Sequence, residues 1–172
     1  MRPTQSPNFP RGIRNHNPGN IRHTPGTRWQ VMAHHQTDPH FIQYTNPRWG
    51  IRAIARTLIT YQDKRQAADG SPIDSVRDII QRWAPPNENN THAYIHNIAR
   101  AIGLHPDDHL DVYHHTTMRN LVTHIIRHEN GPGPLPGGHW YGQPLIDDAL
   151  QLAGLEPGAT HGHPASVNRA TP

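Results

Sequence analysis

TTMRNLVTHIIRHENG, residues 116–131, decides how the rest of the chain is read. Met118, Leu121, Val122, Ile125 and Ile126 recur at helical spacing and Gly131 supplies a stop, so the stretch predicts an amphipathic helix with one buried face. That helix ends at Glu129. A carboxylate at a helix C-terminus opposes the macrodipole, at a cost of a few tenths to about 1 kcal/mol. A local rule broken without evident gain points to function. Burial beside the apolar face would also raise the pKa of Glu129, and a protonated glutamate is what a glycosidase general acid requires. The plainer alternative is a fraying helix end whose acid faces water.

Glutamate is scarce, with Glu88, Glu129 and Glu156 the full set. Glu88 lies in RWAPPNENNTHAY, where prolines and asparagines predict a structured turn between two helices. It is either a surface acid favoured by the dipole of the following helix or an active-site carboxylate on a rigid loop. Glu156 follows the last predicted helix and reads as solvated.

Four further helices are predicted around these acids. NPRWGIRAIARTLITYQDK opens on an Asn-Pro start signal and places Ile51, Ile54, Ala55 and Leu58 on one face. SPIDSVRDIIQRWA has Ser71 as cap and Pro72 at its first position, then Val76, Ile79, Ile80 and Trp83. NTHAYIHNIARAIG runs from an Asn or Thr cap to Gly103, with Tyr94, Ile95, Ile98 and Ile102 as its stripe. QPLIDDALQLAG is closed by Gly154. Upstream, RWQVMAHHQTDPHFIQYTN partly alternates around Trp29, Val31, Phe41, Ile42 and Tyr44 and predicts a small β-hairpin. Residues 1–9 are expected to form an unstructured arm and residues 155–172 a flexible tail, leaving one mainly α (α+β) domain over residues 10–154.

Composition removes several chemistries. The absence of cysteine excludes disulfides, thiolate metal sites and a cysteine nucleophile. No Gly-x-Ser-x-Gly elbow and no glycine-rich phosphate loop occurs. His124 and His128 are four apart on one helix face, but His-Glu-x-x-His is absent, so no metal or other cofactor is expected. No stretch approaches the roughly 20 apolar residues of a membrane span, so no membrane insertion is expected. The opening MRPTQSPNFP lacks an apolar h-region, so no secretory signal is expected. The formal charge is +3, from 16 basic and 13 acidic side chains, with Lys64 the sole lysine. That balance favours polyanions in general. Without a basic motif or stripe, nucleic acid is not the expected partner.

RGIRNHNPGNIR at residues 11–22, FIQYTNPRWGIRAIARTLITY, IIQRWAPPNENNTHAYI and LVTHIIRHENG together resemble a family of phage-encoded proteins. Its members occur as virion structural proteins, peptidoglycan-degrading enzymes and antibacterial lysozyme-like effectors. The resemblance spans about residues 11–154. More distantly, the chain is similar to lysozyme-like glucosaminidases and lytic transglycosylases. NPGNIR resembles their asparagine-rich segment, Thr37-Asp38 their hairpin acid, Phe41 to Tyr44 their aromatic pair, and APPNENNTHAY their tyrosine turn, with Tyr94 as the tyrosine.

The resemblance implies cleavage of peptidoglycan glycan strands by a lysozyme-like helical domain. Glu129 would be the general acid with Glu88 as its rival, and Asp38 a second carboxylate that stabilises positive charge or orients water. Asn17, Asn20, Tyr44, Asn90, Thr91 and Tyr94 would bind the sugar. One departure matters: no glutamate precedes NPGNIR, and the helix ending in Glu129-Asn130-Gly131 lies at the far end. A circular permutation would explain this, and it requires Glu129 to sit near Asn20 and Tyr94, well within about 15 Å. The alternative is a non-catalytic virion structural or glycan-binding protein. A monomer made in a host cytoplasm is expected, acting in the periplasm or cell wall or carried with virion proteins in a phage particle.

Overall fold

Side chains that accept backbone N–H groups set where the helices begin. A computed structural model describes residues 8–87 and 89–158. These residues form α1 (Arg11–Arg14), α2 (Pro47–Lys64), α3 (Val76–Trp83), α4 (Thr91–Ile102), α5 (His115–Asn130) and α6 (Gln143–Leu152), with a 3-10 turn at Pro136–Gly138. Asn46 caps α2, Ser75 α3, Asn90 α4 and His114 α5, each accepting from an N–H of the first turn. Gly103, at φ 75°, ends α4 in the left-handed conformation.

The second predicted helix begins four residues later than its sequence suggests. Ser71 turns back to hydrogen-bond Asp69, and Pro72 pairs with Gln66 in an isolated bridge. Ser75 takes over the cap.

Helix α5 is the structural centre. It packs against α1, α2, α4 and α6, while α2 also packs on α6 and α3 on α4. Met118, Leu121, Val122 and Ile125 are fully buried and join Ile51, Ile54, Leu58, Ile79, Ile80, Ile98 and Leu150 in one core. Fully burying one such side chain contributes about 1.5–3 kcal/mol. Leu155, expected in the tail, is 1% exposed and belongs to this core. Phe9, expected in the arm, sets its ring edge-on to Trp140 at 5.7 Å. The remaining expected arm (1–7) and the tail from 159 lie outside the described residues.

The expected β-hairpin is replaced by two isolated antiparallel bridges, Arg22 with Phe41 and Met32 with Tyr44. Val31 sits at φ 59°, a costly value for a β-branched residue, and breaks the extended run. Side-chain amides take the place of a ladder. Gln36 Nε2 donates to the carbonyls of Ala33 and Gln43, and the Gln43 N–H donates to Gln36 Oε1, each at 2.8 Å. A small second core of Ile42, Tyr44 and Ala53 lies beneath.

Candidate active site

The asparagine-rich segment after α1 is a turn built from side-chain hydrogen bonds. Asn17 is fully buried; its Nδ2 donates to the carbonyls of Ile21 (2.9 Å) and Ile42 (2.8 Å), and its Oδ1 accepts from the Ile21 N–H (3.0 Å). His16 and Asn20 adopt left-handed φ of 52° and 50°. Gly19 permits a close approach to α2: a Cβ there would come within 2.7 Å of Ile54.

The end of α5 closes onto this turn. Asn130 is buried and donates from Nδ2 to the Pro18 carbonyl at 2.7 Å. Glu129, one residue earlier, is half-buried. Its Oε2 accepts from the Tyr94 hydroxyl at 2.9 Å and its Oε1 from Asn20 Nδ2 at 3.3 Å. The proximity required of Glu129, Asn20 and Tyr94 is therefore met. Burial pushes the Glu129 carboxyl above its ordinary pKa, and the hydrogen bonds from Tyr94 and Asn20 pull down without cancelling the effect. Tyr94 is itself buried and held neutral, so it remains a donor. The ring of His128 stacks on it at 3.6 Å.

Glu129 reaches a cleft of about 770 Å³. Trp29, Phe41, Tyr61 and Trp83 give that cleft aromatic walls, Arg22, Arg65 and Arg82 give it positive charge, and four threonines add hydroxyls. Glu129 is the one carboxylate among the described lining residues. The chemistry available is proton transfer from a half-buried acid to a polar group bound against aromatic faces.

Several expected site residues have other work. The Asp38 carboxylate is occupied by Arg11 Nε and Nη2 (2.6 Å each), Asn15 Nδ2 (2.9 Å) and the N–H groups of His40 and Phe41. Arg11 first, then Asn15 and the backbone, hold it well below the usual carboxylate range, and it does not line the cleft. Asn17, Tyr44 and Thr91 turn inward, away from any sugar. The Thr91 hydroxyl donates to the Ala84 carbonyl, and Tyr44 is 3% exposed in the second core. Asn90 caps α4, and its neighbour Asn89 faces the cleft instead. Glu88 lies outside the described residues. From sequence Trp83 reads as a core or sugar-stacking aromatic, and the three arginines carry no signal that marks them as site residues. The one signal for Trp83 is its place in the WAPP junction after α3. His124 lies 6.1 Å from His139, ring to ring, and among the described residues no three His, Asp or Glu side chains form a metal set.

No family model matches the chain. It is 36% identical over 136 residues to Protein P5 of Pseudoalteromonas phage PM2, covering 78% of this chain and 79% of that one. The chain belongs to the P5 family. P5 is a phage protein, in keeping with the phage resemblance, and its name states no reaction. No helix among the described residues of this P5-family chain is long and apolar enough to cross a membrane.

Proposed function

We propose that the chain cleaves the β-1,4 glycan of peptidoglycan, with Glu129 as general acid. The observation that carries this reading is a half-buried carboxylate, its pKa raised by burial, held by Tyr94 and Asn20 beside an aromatic-walled cleft. Glu129 gives its proton to the leaving glycosidic oxygen. The resulting carboxylate then takes a proton from the hydroxyl that closes on the sugar's C1. If that hydroxyl is water, the product has a reducing end. If it is the C6 hydroxyl of the same sugar, the product is a 1,6-anhydro sugar.

Standard glycoside hydrolysis uses a second carboxylate roughly 5–9 Å from the acid. With Glu129 alone among the described lining residues, and Asp38 tied to Arg11, the transglycosylase route is favoured. Asp38 then acts as a clamp on the segment that carries Phe41. The reading includes a permuted lysozyme-like arrangement, supported by the packing of the C-terminal end of α5 against the asparagine turn. It also includes carriage with virion proteins, supported by kinship with a phage protein.

The test is digestion of purified glycan strands by wild type, Glu129→Gln and Glu88→Gln, with products read by mass spectrometry. Glutamine preserves shape but has no acidic proton. Loss of cutting by Glu129→Gln alone, with anhydro ends from wild type, is the expected result. Loss only in Glu88→Gln moves the acid to that turn. Folded wild type that binds strands but leaves them intact would make the protein a glycan-binding virion component instead.

A further inference from the structure

The charge on the cleft goes further than the acid. Arg22 follows the asparagine turn, Arg65 follows α2, and Arg82 lies near the end of α3; all three line the cleft. Arg11, Arg48, Arg77 and Arg119 are engaged in ion pairs, whereas among the described residues none of the three cleft arginines is. Two are steadied without being neutralised: Arg22 lies 5.1 Å from the Phe41 ring centre and Arg82 5.3 Å from that of Tyr61. The sole carboxylate among the described lining residues is Glu129, which burial biases toward its neutral form. Three exposed guanidiniums, two of them with aromatic support, thus face a cleft in which Glu129 is the one carboxylate among the described lining residues. Guanidinium is the side-chain group best shaped to bind carboxylates.

We infer that the cleft selects glycan bearing free carboxylates, and that Arg22, Arg65 and Arg82 make the selection by pairing with peptide-stem carboxylates of peptidoglycan. This rests on the glycan reading above and adds its specificity: the neutral β-1,4 polymer of N-acetylglucosamine offers the same backbone without the anions. Nucleic acid is the less suited polyanion, since a phosphate strand needs an extended basic track and the whole chain carries only +3.

The experiment uses the full-length Glu129→Gln chain, so that ligands are bound and not consumed. Binding is measured to stem-bearing peptidoglycan fragments, to chitohexaose and to a single-stranded oligonucleotide, with and without Arg22→Gln, Arg65→Gln and Arg82→Gln. Each loss should weaken stem-bearing fragments about 2- to 5-fold, and the triple variant about 10- to 100-fold. Binding of those fragments should also fall with salt, while chitohexaose binding changes in neither case. Single variants keep the test valid if the triple variant fails to fold. Equal affinity for chitohexaose and stem-bearing fragments, or arginine variants that bind both as before, overturns the inference while glycan cleavage by wild type stands. Tighter binding to the oligonucleotide also overturns it. No binding to either glycan overturns the glycan reading with it.

Discussion

The Tyr94 hydroxyl and the Glu129 carboxylate, 35 residues apart in the chain, meet at 2.9 Å between α4 and α5. The bond favours the charged form of Glu129 and restrains the rise that burial causes. Tyr94→Phe removes this restraint, so the Glu129 pKa rises further. An acid catalyst acts only while protonated. The alkaline limb of kcat/KM is therefore expected to move to higher pH in Tyr94→Phe, and a limb that stays put or moves to lower pH would argue against Glu129 as the acid.

Glu129→Gln is expected to cost about 10²- to 10⁴-fold in kcat while stabilising the fold at pH 7. The folded pKa of Glu129 lies above its ordinary 4.5, so the folded state holds its proton more tightly than the unfolded state. Wild-type stability then falls as pH rises from about the ordinary value through the folded one. Glutamine has no such penalty. Thermal melts at pH 7 should favour the variant, and the gap should close as pH falls below 4.5.

Gly12→Ala tests how tightly the turn must sit on the end of α5. A Cβ at Gly12 would lie 2.6 Å from Asn130 Oδ1, 2.7 Å from Asn20 Oδ1 and 2.9 Å from the Asn17 carbonyl. The variant should lose about 1–3 kcal/mol in denaturant unfolding. Strand cleavage should fall too, because Asn20 and the end of α5 are pushed apart. Unchanged stability and activity would show that the turn tolerates separation from α5.

Asp38→Asn probes the clamp on the Phe41 segment. The folded pKa of Asp38 is depressed, so its contribution is present above the unfolded value near 3.8 and lost as pH falls through that region toward the folded one. Urea melts should show the variant weaker by about 1–2 kcal/mol at pH 7, allowing for the solvent around Arg11. The deficit should shrink steadily below pH 3.8.

Helix α5 and the out-of-place carboxylate at its end were legible because both signals are local. Five apolar residues at helical spacing specify the buried face, and a carboxylate in the last turn stands out against the dipole. The alternating pattern predicts a hairpin where isolated bridges stand: Val31 takes a left-handed φ and Gln36 binds through its side chain, and neither choice is written in that pattern. Asn17 and Tyr44 could not be sorted from Asn20 by residue type, since the direction in which each side chain points is fixed by the packing of the turn on α2 and α5. The convergence of Arg22, Arg65 and Arg82 is a tertiary fact, brought about by three segments that no short window contains.

Asn20 and Glu129 are separated by 109 positions, yet they share a hydrogen bond. During synthesis the turn must wait for α5 to leave the ribosome before it meets Glu129. A product truncated before α5 carries Asn20 and Tyr94 but lacks the carboxylate that both of them hold. In this architecture the asparagine turn and the carboxylate it holds can meet only once α5 has been made.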